Sequence, residues 1–107
     1  MAADKSIINL VKQFARDVSA EGVNLKKVIL FGSYAQNKHR RDSDIDVALI
    51  ADDFKGFVYL DLDLFIKAKI KKSYSKIQVQ TFSNSQFTGG NPFIGEIIRT
   101  GIEIKLE

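Results

Sequence analysis

Phe31-Gly32-Ser33-Tyr34-Ala35 and, ten residues after the serine, Asp44-Ile45-Asp46-Val47-Ala48-Leu49-Ile50 carry the reading of this chain. Lys26-Lys27-Val28-Ile29-Leu30-Phe31 leads into the first stretch as a short, β-branched apolar run, which predicts a buried strand. Gly32-Ser33 breaks it sharply, and Tyr34-Ala35-Gln36 is placed to begin a short helix with Ser33 near its start. Such a turn aims N–H groups and a hydroxyl at an anion. Residues 45–51 predict a second strand. Alternate residues of a strand share a face, so Ile45, Val47 and Leu49 point one way and Asp44, Asp46 and Ala48 the other.

Two carboxylates converging on one strand face repel each other unless a cation balances them. A hard divalent ion, Mg²⁺ above all, does so while keeping waters and substrate phosphates as its other ligands. A phosphate-binding turn beside such a pair points to transfer of a phosphate-bearing group from a nucleoside triphosphate, by positioning and charge neutralisation.

The rest of the chain predicts a frame for that site. Ile7, Leu10, Val11, Phe14 and Val18 recur at helical spacing over residues 4–21, with Gly22 to end the helix. Residues 37–43 read as a polar loop made basic by Lys38, Arg40 and Arg41, with His39 an exposed loop residue rather than a catalytic base. Residues 55–73 fit two periods: Val58–Leu64 alternates like a strand, whereas Phe57, Leu60, Leu64 and Ala68 share one helical face, and the length and the acidic-to-basic polarity of the segment favour one helix. Asp61 and Asp63 are then a decoy, because residues two apart on a helix lie on opposite sides. Ile77-Gln78-Val79-Gln80 belongs to a third strand over 76–82, and 83–90 to a loop with a brief helical turn. Asn91-Pro92 caps and starts a last helix with Phe93, Ile94, Ile97 and Ile98 as its apolar face. Residues 102–106 alternate as an edge strand would. Strands and helices alternate throughout, which predicts an α/β domain, one small sheet flanked by helices, spanning 1–107.

Composition narrows the chemistry. The chain has 107 residues with no cysteine and one histidine, so a disulfide framework and a cysteine or multi-histidine metal site are excluded. Sixteen Lys and Arg against thirteen Asp and Glu give a net charge of +3, compatible with a nucleotide partner. No apolar run suffices for a membrane span and the N-terminus does not read as a signal peptide, so a cytoplasmic protein is expected. Direct nucleic-acid binding through Lys38, Arg40, Arg41 and the lysines of 67–76 is a weaker reading, because no stacking aromatics are interleaved with them.

Gly32-Ser33, ten residues, then Asp44-Ile45-Asp46 resembles the G-S-x10-D-x-D signature of the nucleotidyltransferase superfamily that includes DNA polymerase beta. The wider stretches Leu30–Ala35 and Ser43–Leu49 resemble its small stand-alone members, the minimal nucleotidyltransferases. The resemblance implies a mixed sheet, Gly32 and Ser33 at the triphosphate, and Asp44 and Asp46 as catalytic residues holding two divalent ions, Mg²⁺ with Mn²⁺ as a substitute. It implies transfer of a nucleotidyl group, AMP from ATP, to a hydroxyl acceptor. It further implies a helical HEPN-type partner to which the chain is antitoxin. The family carries a third carboxylate on the next strand, where this chain has Gln78, with Gln80 on the same face. A neutral amide is a poor base. The alternative is therefore a catalytically weak nucleotide- and protein-binding module that acts by complex formation. With the chain ending at Glu107, a partner or second subunit is expected to complete the acceptor site.

Overall fold

The computed structural model describes residues 4–106; residues 1–3 and 107, the outermost part of the domain expected over 1–107, lie outside the described residues. Helix α1 spans Lys5–Ala20 and is capped by Asp4, whose carboxylate accepts from the Ser6 N–H at 2.8 Å. Its Val11, Phe14, Ala15 and Val18 are buried, and Gly22 follows at φ 102, where the missing Cβ removes the penalty of a left-handed turn. Strands β1 (Leu25–Phe31), β2 (Ile45–Ala51), β3 (Ile77–Phe82) and β4 (Ile102–Glu103) form one sheet in the order β3-β2-β1-β4. β1 is antiparallel to both β2 and β4, whereas β2 and β3 run parallel. The expected mixed sheet is present, and β4 lies at its edge, paired within its own sheet.

The alternation read from β2 is realised. Val47 and Leu49 join Leu30, Val79 and the buried face of α1 in one core, while Ala48 and Ile50 join Ile29 and Phe82 on the other side. Helices α4 (Asn84–Phe87) and α5 (Pro92–Thr100) cover part of that second side through Phe87, Ile94 and Ile97. Ser83 and Gln86 cap α4 reciprocally, and Asn91 caps α5 with Pro92 at its first turn. Of the four residues expected on the apolar face of α5, only Ile94 and Ile97 are buried; Phe93 and Ile98 remain 51% and 56% exposed. The helix is one short stripe wide, and both residues flank it.

Residues 55–73 depart from the single helix expected there. They break into α2 (Val58–Asp61), a 3₁₀ turn (Leu62–Leu64), α3 (Ile66–Lys69) and a second 3₁₀ turn beginning at Lys72. Of the proposed apolar face only Ala68 is buried; Phe57, Leu60 and Leu64 are exposed. Asp61 is buried instead, accepting from the Lys55 and Gly56 N–H groups at 2.8 and 3.0 Å and from the Thr81 hydroxyl at 2.8 Å. Phe65, at φ −144 and ψ 23, leaves helical geometry to send its ring into the core beside Phe54. Asp61 and Asp63 do not act together, since Asp63 is exposed. Among the described residues no helix is long and apolar enough to cross a membrane.

The α1 side is locked by Tyr74, which packs edge-on to Phe14 at 5.1 Å and donates its hydroxyl to Asp17 at 2.6 Å. That bond, with the Lys71 ammonium at 3.0 Å, holds the Asp17 carboxyl below its ordinary range, while burial and Asp17 push the Tyr74 phenol up to about 12. Asp17 therefore adds stability above about pH 4 that is lost as pH falls through its lowered value. Tyr74 adds stability below about pH 10 that is lost as pH rises toward 12. The stability advantage of the native chain over Tyr74→Phe is expected to be flat between these limits and to shrink beyond both, in denaturant titrations across pH. A pH-independent difference would show that the hydroxyl contributes nothing through Asp17.

Candidate active site

Phe31 at the end of β1 pairs in register with Asp46 near the start of β2. Gly32 follows at φ 76, so close to Asp46 that an added Cβ would collide with its carboxylate. The chain then turns rather than forming the short helix expected: Gln36 N–H donates to the Gly32 carbonyl at 3.2 Å and Lys38 N–H to the Ser33 carbonyl at 2.8 Å. Tyr34 and Ala35 are drawn into the core on the α1 side. The turn's carbonyls are thus engaged, while the Ser33 and Tyr34 N–H groups have no acceptor among the described residues.

Asp44 lies exposed just before β2, and Asp46 is half-buried within it. Burial first, and the Asp44 charge second, raise the Asp46 carboxyl above its ordinary range. Asp17, Asp52, Glu96 and Glu103 make salt bridges, whereas Asp44 and Asp46 make none among the described residues. A partly desolvated, unneutralised carboxylate pair beside a glycine whose side chain is excluded fits one hard divalent cation with phosphates on its outer face. No group of three or more His, Cys, Asp and Glu side chains is gathered among the described residues.

The parallel register brings Gln78 opposite Asp46 and Gln80 opposite Ala48, both glutamines exposed. The position where the resemblance calls for a third carboxylate is therefore beside Asp46 and holds an amide. His39 is not the free loop residue expected. Its ring stacks on Tyr34 at 4.0 Å and 12°, and its Nδ1 is buried without a partner. Lys76, which the sequence offers only as one of the lysines of 67–76 and as the start of the third strand, donates through its ammonium to the Arg41 carbonyl at 2.9 Å and lies 5.9 Å over the Tyr34 ring, tying the basic loop down. A cleft of about 560 Å³ lined by Lys27, Phe87, Ile94 and Ile98 includes none of Gly32, Ser33, Asp44 or Asp46.

Gly32→Ala is expected to cost about 1–2 kcal/mol for the left-handed conformation and to displace the Asp46 carboxylate. Thermal unfolding reads the first effect and Mg²⁺-dependent nucleotide binding the second. Full binding by the variant would show that the close approach of Gly32 has no functional weight.

The family model for "Polymerase beta, Nucleotidyltransferase" matches residues 9–106. The chain belongs to this nucleotidyltransferase family. Two curated relatives from Methanocaldococcus jannaschii bear the name "Putative protein adenylyltransferase". MJ0604 is 36% identical over 66 residues, covering 61% of this chain and 60% of its own. MJ0141 is 40% identical over 48 residues, covering 44% and 48%. The chain thus spans less than two thirds of either relative. Among solved structures, a "putative nucleotidyltransferase" from Sulfolobus solfataricus superposes with a TM-score of 0.63 at 20% identity over 92% of this chain and 78% of that one. A toxin–antitoxin solved with AMP-PNP gives 0.58 at 21%, over 88% and 72%. A mutant of the toxin–antitoxin MntA–HpeT gives 0.59 at 19%, over 87% and 70%. At these identities the superpositions establish the nucleotidyltransferase fold. Family membership makes the chain a transferase in class.

Proposed function

We propose that this domain binds ATP through Mg²⁺ and transfers AMP to a hydroxyl of a helical, HEPN-type partner protein, as the antitoxin of the pair. The observation that carries the proposal is the unneutralised Asp44–Asp46 pair set against the Gly32–Ser33 turn. The names of the two archaeal relatives support the adenylyl group and the protein acceptor. The toxin–antitoxin neighbours, one solved with AMP-PNP, support the nucleotide and the partner.

In this reading the Ser33 and Tyr34 N–H groups and the Ser33 hydroxyl hold the leaving phosphates. Asp44 and Asp46 would hold the divalent metal, which would supply neutralisation of the phosphate charge. The acceptor oxygen bonds to the α-phosphorus, the bond from that phosphorus to pyrophosphate breaks, and the hydroxyl proton leaves. Gln78 orients through its amide but cannot take that proton. The partner or solvent must accept it, and this caps the rate.

The test incubates the purified complex with α-labelled ATP and Mg²⁺. Label on the partner, lost on chelation, is expected; its absence with nucleotide binding intact would leave binding without turnover. Gln78 opposite Asp46 specifically favours that second reading, a nucleotide- and protein-binding module acting by complex formation. Its mark is partner neutralisation that survives Asp44→Asn with Asp46→Asn.

A further inference from the structure

The sheet face that carries Asp46 is only partly roofed. Along β2 the residues on it are Asp46, Ala48 and Ile50, and alongside them on β3 stand Gln78, Gln80 and Phe82. Helix α5 covers the far end, and Phe93 marks where cover stops. Its ring meets Phe31 edge-on at 6.2 Å and 84° and Phe82 at 6.5 Å and 53°. Phe31 is beside Asp46 on β1, and Phe82 is two residues beyond Gln80 on β3. Phe93 therefore bridges from β1 to β3 across the line of Ala48. Its backbone is fixed by the Asn91 side chain, which accepts from Phe93 N–H at 2.8 Å, and by Pro92. The ring nonetheless stays 51% exposed. An aromatic ring steadied on two sides with its remaining surface open, over a sheet face that also carries the exposed Gln80 amide, has the chemistry of a seat for a flat, hydrogen-bonding ring.

We propose that Phe93 and Gln80 form the nucleobase site of the bound nucleotide, Phe93 stacking on the base and Gln80 selecting adenine; this rests on the reading above that phosphates sit at Gly32–Ser33. Two residues along a strand span about 7 Å, so Gln80 lies within one nucleotide's reach of Asp46. A glutamine amide pairs bidentately with adenine, accepting from its amino group and donating to N7, whereas guanine presents two acceptors there. Stacking tolerates any base, so the two residues divide affinity and selectivity between them.

The chain has no tryptophan, so Phe93→Trp installs a single fluorophore at the site. Its emission is expected to be quenched by Mg·ATP and not by Mg·tripolyphosphate. Phe93→Ala is expected to weaken ATP about tenfold to a hundredfold with tripolyphosphate affinity unchanged, and Phe93→Tyr to restore ATP binding. Gln80→Ala is expected to bring ATP and GTP affinities about tenfold closer. Because Phe93 is exposed, an unchanged melting temperature confirms that the variant folds. If ATP binding requires Asp44 and Asp46 but is indifferent to Phe93, the base site is elsewhere and the proposal fails alone. If wild type binds neither ATP nor tripolyphosphate in Mg²⁺, both it and the underlying reading fall. Loss of partner binding alone on Phe93→Ala would mark the ring as a protein contact and overturn the proposal.

Discussion

Replacing Asp44 and Asp46 together with asparagine is expected to remove Mg²⁺-dependent ATP binding and to lower AMP transfer by at least about a thousandfold, the scale of losing one preorganised charge-stabilising group. Saturating ligand stabilises a folded protein by about 2.7 kcal/mol at a hundredfold excess over its dissociation constant. The native chain should show such a shift with Mg·ATP and the double variant none. Without ligand the sign reverses. Asp46 sits above its ordinary range because burial and Asp44 disfavour its charge. Its contribution to stability is thus present below about pH 4 and lost as pH rises through its raised value. At neutral pH, Asp46→Asn should therefore melt higher than the native chain when both are free of nucleotide. A variant that is less stable and still binds Mg·ATP would contradict both halves.

Asp61→Ala should be strongly destabilising, at about 3–5 kcal/mol. It strips the acceptor from the part-buried Lys55 and Gly56 N–H groups and from the buried Thr81 hydroxyl, and leaves a void where the carboxylate stood. Against a total of about 5–15 kcal/mol for a domain, that approaches global unfolding at 37 °C. Urea titration measures it, and Asp61→Asn, which keeps one acceptor oxygen, should lose less. A cost below about 1 kcal/mol would mean that Asp61 does not anchor the 55–65 segment. Mg·ATP affinity per folded molecule is expected to be unchanged, since Asp61 has no part in the site.

Those two acids show what the sequence discloses. Asp44-Ile45-Asp46 was legible because both signals agree there: a strand period fixes which side chains converge, and the glycine turn lies a register partner away. The same period placed Gln78 beside Asp46, as the parallel pairing shows. Asp61-Leu62-Asp63 carried the same pattern inside a segment whose apolar residues fit two periods at once. Nothing local announced that one acid would be buried against amides of its own loop and a threonine from β3. Long-range pairings of this kind decide structure after the fold has formed. The His39–Tyr34 stack and the tie from Lys76 to Arg41 are of the same kind. Phe93 was misread for a different reason: residues flanking a helical stripe are apolar whether they are roofed or open, and only the width of the neighbouring layer tells which.

The strand order has a consequence for synthesis. β1 finds β2 after the turn and loop of residues 32–44, and β3 follows, but the other edge of β1 is completed only by β4, some 70 residues after β1 ends. Until then the Val28 carbonyl that accepts from Ile104 N–H at 2.8 Å has no strand beside it. At 5–20 residues per second that wait is roughly 4–14 s. For the last part of it, after β3 ends at Phe82, a nascent chain with three of its four strands made presents a bare Val28-Ile29-Leu30 edge, open to pairing with a neighbouring chain. Closing that edge falls to the two residues of β4 and to Ile104 just beyond it.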